Sequence, residues 1–118
     1  MTDHTPAARI RQLQDYIQQG KILDAMTEFY DTDIAMQEND AEPVVGLDVN
    51  IEREKQFLAQ IKDFISYEPI AIAAEGDTTF VESRLEFINQ QDQRVVLTQA
   101  ARQRWNNGKI THETFYHG

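Results

Sequence analysis

Apolar residues in the first half of the chain recur at helical spacing; in the second half they alternate. In TPAARIRQLQDYIQQG, residues 5–20, Ile10, Leu13, Tyr16 and Ile17 share one helical face. Thr5 is placed to cap this helix, Pro6 suits its first turn and Gly20 ends it. KILDAMTEFY, residues 21–30, carries a second stripe of Ile22, Met26, Phe29 and Tyr30. The short joint at Gly20 predicts that the two helices pack as a hairpin. The period then changes to two. DIAMQEND, starting at Asp33, predicts a short strand over 33–39, and DAEPVVG reads as a loop. LDVNIEREKQFLAQIKDF, residues 47–64, returns to helical period through Ile51, Phe57, Leu58, Ile61 and Phe64. Asp48 or Asn50 would cap that helix.

Strands follow from Ile65. ISYEPIAIAAEG is the first, and Pro69 within it argues for an edge strand or a bulge. TTFVESRLEFIN, RVVLTQAARQRW and KITHETFYH complete a four-strand meander. QQDQ and NNG form its turns, the latter of the favoured Asn-Gly hairpin type. The order predicts an α+β fold. Three N-terminal helices cover one face of a curved, mostly antiparallel sheet, in a single domain over residues 1–118. A sheet wrapped around helices forms a cone, and its mouth is a natural place for a ligand pocket.

Strand parity assigns faces. Val81, Ser83, Leu85 and Phe87 point inward, and Phe80, Glu82, Arg84 and Glu86 outward. On the next strand Val95, Leu97, Gln99, Ala101, Gln103 and Trp105 point inward, leaving Arg94, Arg102 and Arg104 outside with Val96, Thr98 and Ala100. On the short first strand Ile34 and Met36 point in, and Glu38 with them. A carboxylate beside Met36 and Trp105 loses hydration, so its pKa is expected to rise and suit it to acid–base work. The structural alternative is a strand-end carboxylate bonded to loop amides or a helix terminus. Gln99 is its expected polar partner; Gln99 and Gln103 could equally satisfy each other or water. Tyr30, Trp105 and Tyr116 are candidates to line a pocket, although aromatics at such spacing also serve as plain core. On the last strand alternation sends Ile110, His112, Thr114 and Tyr116 inward. A bulge would reverse this and bring in Glu113.

Composition narrows the chemistry. With 11 Lys and Arg against 20 Asp and Glu, the net charge of −9 disfavours nucleic acid and anionic membranes as partners. The absence of cysteine removes thiolate chemistry and disulfides. His112 and His117 lack a metal-binding spacing, and no phosphate loop or nucleophile elbow occurs, so no cofactor or metal is expected. No secretory signal or membrane span is visible, which gives a cytoplasmic default.

FYDTDIAMQEND, the VVG before the third helix and the closing QAARQRWNNGKITHETFYHG resemble the nuclear-transport-factor-2-like (NTF2-like) superfamily, and within it the SnoaL-like proteins. That superfamily includes ketosteroid isomerase, polyketide cyclases, an epoxide hydrolase, dehydratases and binding domains, so the resemblance implies a fold and not one reaction. Against the isomerase motif Y-A-D-D, Tyr30 meets the tyrosine, Asp33 the second aspartate and Glu38 the proton-shuttling base. The isomerase's second acid would fall near Ala101 and its oxyanion-hole tyrosine near Leu13, so that oxyanion hole is not reproduced. The expected site is therefore Glu38 and Gln99 as acid–base pair, in a pocket lined by Tyr30, Met36, Leu97, Ala101, Trp105, His112 and Tyr116. Its ligand would be a small apolar or amphipathic molecule. The resemblance also implies a homodimer through the convex sheet face, where Val96, Thr98 and Ala100 form an uncharged strip. The competing readings are an isomerase-, cyclase-, dehydratase- or hydrolase-type enzyme, a non-catalytic ligand-binding domain, and a dimerisation module.

Overall fold

The computed structural model describes residues 4–118. It contains helices α1 (Pro6–Gln18), α2 (Ile22–Phe29) and α3 (Leu47–Ala59), with strands β1 (Tyr30–Glu38), β2 (Val44–Val45), β3 (Ile61–Glu75), β4 (Thr78–Asn89), β5 (Arg94–Asn106) and β6 (Lys109–Tyr116). Thr5 caps α1, its side-chain oxygen accepting from the Ala8 amide at 3.3 Å. The α1–α2 joint turns at Gly20, whose φ of 78° lies in the left-handed region that glycine tolerates. Tyr16 meets Phe29 edge-on at 5.2 Å and ties the two helices together. No helix among the described residues is long and apolar enough to cross a membrane.

The six strands form one sheet in the order β2-β1-β6-β5-β4-β3. All neighbours are antiparallel except β1 and β6, which run parallel. β3 is an edge strand and its register shifts between Pro69 and Ala71, so both readings of Pro69 hold at once. The β5–β6 turn has positive φ at Asn107 (51°) and Gly108 (78°), the conformation of the Asn-Gly hairpin.

Several boundaries differ from expectation. Tyr30, expected on the stripe of the second helix, instead opens β1, which begins three residues ahead of the strand expected from Asp33. The third helix stops at Ala59, and Ile61 and Phe64 belong to β3, paired with Asn89 and Phe87. Their helical spacing was continued by accident; strand pairing prevails there. Val44 and Val45 are not loop but a short strand on β1. Neither Asp48 nor Asn50 caps α3: Gly46 occupies that position. Asn50 is instead buried and donates from Nδ2 to the Val44 and Gly46 carbonyls at 3.0 and 2.8 Å, which fastens β2 to the helix.

The core draws Ile10 and Leu13 from α1, Ala25, Met26 and Phe29 from α2, and Ile34, Val81, Trp105 and Ile110 from the sheet. The strand residues in it all have the inward parity, so the helices and this sheet face share one core. Phe80, Arg102 and Arg104 are exposed on the other face. Glu86 also lies there and is nonetheless covered, because Arg84 and Arg94 both bind its carboxylate. Their hydrogen bonds, that of Arg84 foremost, hold its pKa below the usual carboxylate value.

Candidate functional site

The inner face carries a continuous chain of buried polar groups. It depends on a bulge in β6. Trp105 pairs with Ile110, but the next β5 residue, Arg104, pairs with His112, so Thr111 is an extra residue. The phase of β6 therefore resets after Ile110, and Glu113 comes in opposite Gln103. A second irregularity in β1, between Tyr30 and Ala35, keeps Tyr30 beside this part of β6.

The Trp105 indole donates to Thr79 Oγ1 at 2.9 Å, and Thr79 donates to Gln103 Oε1 at 2.8 Å. Gln103 Nε2 donates to Glu113 Oε2 at 2.8 Å, and the Tyr30 hydroxyl donates to Glu113 Oε1. All five residues are buried. An indole N–H can only donate, so the direction of every following link is set. Thr79 must spend its proton on Gln103 Oε1, which turns the Gln103 amide nitrogen towards Glu113. That nitrogen cannot accept. A protonated Glu113 must therefore carry its proton on Oε1, with the Tyr30 hydroxyl turned round to accept it.

Glu113 is 3% exposed and its pKa is pushed up to about 7. Burial is the main cause. The hydrogen bonds from Tyr30 and Gln103 oppose it, and the charges of Glu54 and Glu38 add to it. Tyr30 is held well above the ordinary phenol value, by burial first and then by Glu113. Tyr67, which donates to Gln14 Oε1 at 2.6 Å, and the half-buried Glu54 are likewise raised by burial. A carboxyl that changes charge near neutrality, beside a hydroxyl able to reverse its hydrogen bond, can take up and return a proton. Because Tyr30 favours the ionised carboxylate, Tyr30→Phe should move the Glu113 titration upward from about 7, as read by carbon NMR of the side-chain carboxyl. A downward move would show that the hydroxyl does not stabilise the anion.

The structure distributes the expected site residues unevenly. Tyr30 and Trp105 join the chain of polar groups, Ala101 is buried near it, and Met36 packs half-buried against the core. Gln99 is half-buried opposite Ser83, away from Glu113. Leu97 has inward parity but is 41% exposed. His112 and Tyr116 do not point inward; both are exposed, because the bulge at Thr111 reverses the alternation. Glu38 does not reach the desolvated position expected of it. It ends β1, its side chain is 47% exposed, and it meets His117 Nε2 at 2.7 Å. That carboxylate raises the His117 pKa.

Thr79, Gln103 and Glu113 are the residues that parity alone undervalues. The buried indole of Trp105 is the signal for them, since its N–H needs an acceptor. The β4–β5 register, which pairs Thr79 with Gln103, supplies one. Among the described residues no group of three or more His, Asp and Glu is placed to hold a metal ion.

Several solved structures share this fold. An NTF2-like protein of unknown function from Burkholderia pseudomallei superposes with a TM-score of 0.83 at 12% identity, over 99% of this chain and 92% of that one. A Mesorhizobium loti protein provisionally named a SnoaL-like polyketide cyclase gives a TM-score of 0.71 at 21% identity, over 96% and 99% of the two chains. An LEH-like epoxide hydrolase from Mycobacterium tuberculosis gives 0.76 at 14% identity, over 96% and 82%. At such identities the likeness establishes the fold alone. No protein of curated function matches the sequence. The sequence profile of the SnoaL-like domain matches residues 10–113, from within α1 through most of β6, and the chain belongs to the SnoaL-like family.

Proposed function

We propose that this SnoaL-like protein performs acid–base chemistry on a small, largely apolar molecule, with Glu113 as the proton carrier and Tyr30 as its hydroxyl partner. The observation that supports this reading is a buried carboxyl, poised at a pKa of about 7, whose neutral form can hold its proton only on the oxygen facing Tyr30. The substrate would enter a cone formed by the curved sheet around the helices. It would present an acidic C–H, or an oxygen in need of a proton, to the Glu113–Tyr30 pair. Gln103, Thr79 and Trp105 act as positioning residues, since they hold Glu113 Oε2 and leave Oε1 to exchange. Glu38, at the solvent end of β1, contributes charge at the rim.

The test uses 2-tetralone, a flat apolar ketone with exchangeable protons next to its carbonyl. In deuterated buffer the protein should accelerate exchange at that carbon, with a rate that rises through pH 7 as Glu113 ionises. Glu113→Gln should abolish the acceleration, by a factor of about 100 or more, while Glu38→Gln should retain most of it. Acceleration surviving in Glu113→Gln would remove Glu113 from the chemistry. A second reading, binding without turnover, draws on one observation: both Glu113 oxygens are already occupied by protein donors. Saturable binding of the ketone without exchange would establish that reading instead.

A further inference from the structure

The outer face of the sheet holds a groove of about 360 Å³ that has no part in the interior chain of polar groups. Two rows of paired residues cross four strands to make its floor. One runs Phe80, Arg102, Thr114, Gln37; the other runs Thr78, Arg104, His112, Ala35. Asp77 and Pro43 complete the rim. The bulge at Thr111 is the reason His112 belongs to this face, next to Arg104.

The charge arrangement is unusual for this chain. Acidic residues outnumber basic ones 20 to 11. Arg84 and Arg94 are both engaged by Glu86, and the buried Arg9 meets Glu28. Arg102 and Arg104 are exposed, and among the described residues no carboxylate comes within 4.0 Å of either. Side chains two apart on one strand face project together, so two unpaired guanidinia stand side by side with an imidazole on the neighbouring strand. Arg forks match the geometry of a carboxylate or phosphate. Phe80, 44% exposed and paired across the strands with Arg102, offers an aromatic surface in the same row. The uncharged strip of Val96, Thr98 and Ala100 continues the same face of β5, with Ala100 the next outward residue after Arg102.

We infer that this groove is a binding site for a small organic oxyanion, its charged end held by Arg102, Arg104 and His112 and its apolar part laid on Phe80. The Asp77 carboxylate at the rim repels a second negative charge, which favours a monoanion such as an aryl carboxylate over a multiply charged phosphate.

Benzoate is the probe, with acetate and inorganic phosphate as comparison arms. Nitrogen–proton NMR of the arginine side chains and of the His112 amide follows binding to the intact chain. Benzoate should give saturable shifts confined to the groove. It should bind about tenfold more tightly than acetate, the gain expected from covering one ring face. Arg102→Gln or Arg104→Gln should weaken it about tenfold each, and Lys62→Gln, outside the groove, should not. Phosphate binding as tightly as benzoate would overturn the assignment of an aryl monoanion. Absence of saturable shifts, or shifts indifferent to both arginine variants, would overturn the site. Sedimentation in the same samples covers the remaining case. A second copy seated on the groove, with benzoate changing neither mass nor shifts, would replace the small ligand by an interface.

Discussion

Glu113→Gln should gain stability over the wild type as pH rises, by about 3 kcal/mol between pH 4 and pH 8. Burial raises the Glu113 pKa from 4.5 to about 7, and each pKa unit corresponds to about 1.36 kcal/mol. Below 4.5 both folded and unfolded chains hold the proton, and this group contributes no slope. Between 4.5 and 7 the folded protein retains a proton that the unfolded chain has released, so wild-type stability falls as pH rises. Above 7 both states are ionised, and the loss levels off. Glutamine cannot ionise, yet it can accept from Gln103 and donate to the Tyr30 oxygen, so the chain of hydrogen bonds survives. His117 adds a loss of stability in the same direction. Its pKa is raised, so its contribution is present below its ordinary value and disappears as pH passes the folded one. That residue is common to both proteins and cancels in the difference. Urea unfolding across this pH range measures the gap. Parallel curves for the two proteins would mean that Glu113 titrates like an exposed glutamate.

Arg9→Met should destabilise the protein by about 3 kcal/mol at any pH. Arg9 is 4% exposed, and its guanidinium lies 4.2 Å from the centre of the Phe29 ring. Its Nε donates to the Gly108 carbonyl at 3.2 Å, and its Nη2 to the Glu28 carbonyl at 3.2 Å. One side chain thus ties α1 to the end of α2 and to the β5–β6 turn. Methionine preserves most of the apolar stem but none of the donors. The Gly108 carbonyl would lose its side-chain donor, a loss of about 1–3 kcal/mol if the group stays dry. The cation over the ring adds about 1 kcal/mol more. The Glu28 carbonyl suffers less, because Lys109 also donates to it. The carboxylate of Glu28 is a minor part of the arrangement, since its side chain is 51% exposed. Glu28→Gln should therefore cost under about 1 kcal/mol. If that variant proved as damaging as Arg9→Met in thermal and urea unfolding, the salt bridge and not the buried donors would be the source.

The helices and the meander were legible because each is written in local spacing. Thr5, Pro6 and Gly20 mark the first helix, and Asn107-Gly108 marks the last hairpin. The end of α3 was not legible. Ile61 and Phe64 continue the stripe of Ile51, Phe57 and Leu58, and only the distant strand β4 draws them out of the helix. The site shows the same division. Tyr30 and Trp105 are aromatics whose burial follows from pattern. Glu38 satisfies the pattern equally well, but alternation says which side a residue faces and not how deep it lies. At the end of β1 the inward side is already solvent. Gln103 could be placed inside but not given a partner, because its partners Thr79 and Glu113 come from two other strands.

The extra residue at Thr111 also affects how this chain compares with its relatives. Counted outward from the Asn107-Gly108 turn without allowance for the bulge, the position facing Gln103 would be His112; in the folded protein it is Glu113. A relative whose hairpin lacks the bulge would have its inward residue aligned, ungapped, with an exposed imidazole here. Column-by-column comparison would then report the interior acid as missing while two folded proteins hold it at the same place. One gap in the last strand restores the correspondence, so descent at this site is traced through strand register and not through residue count.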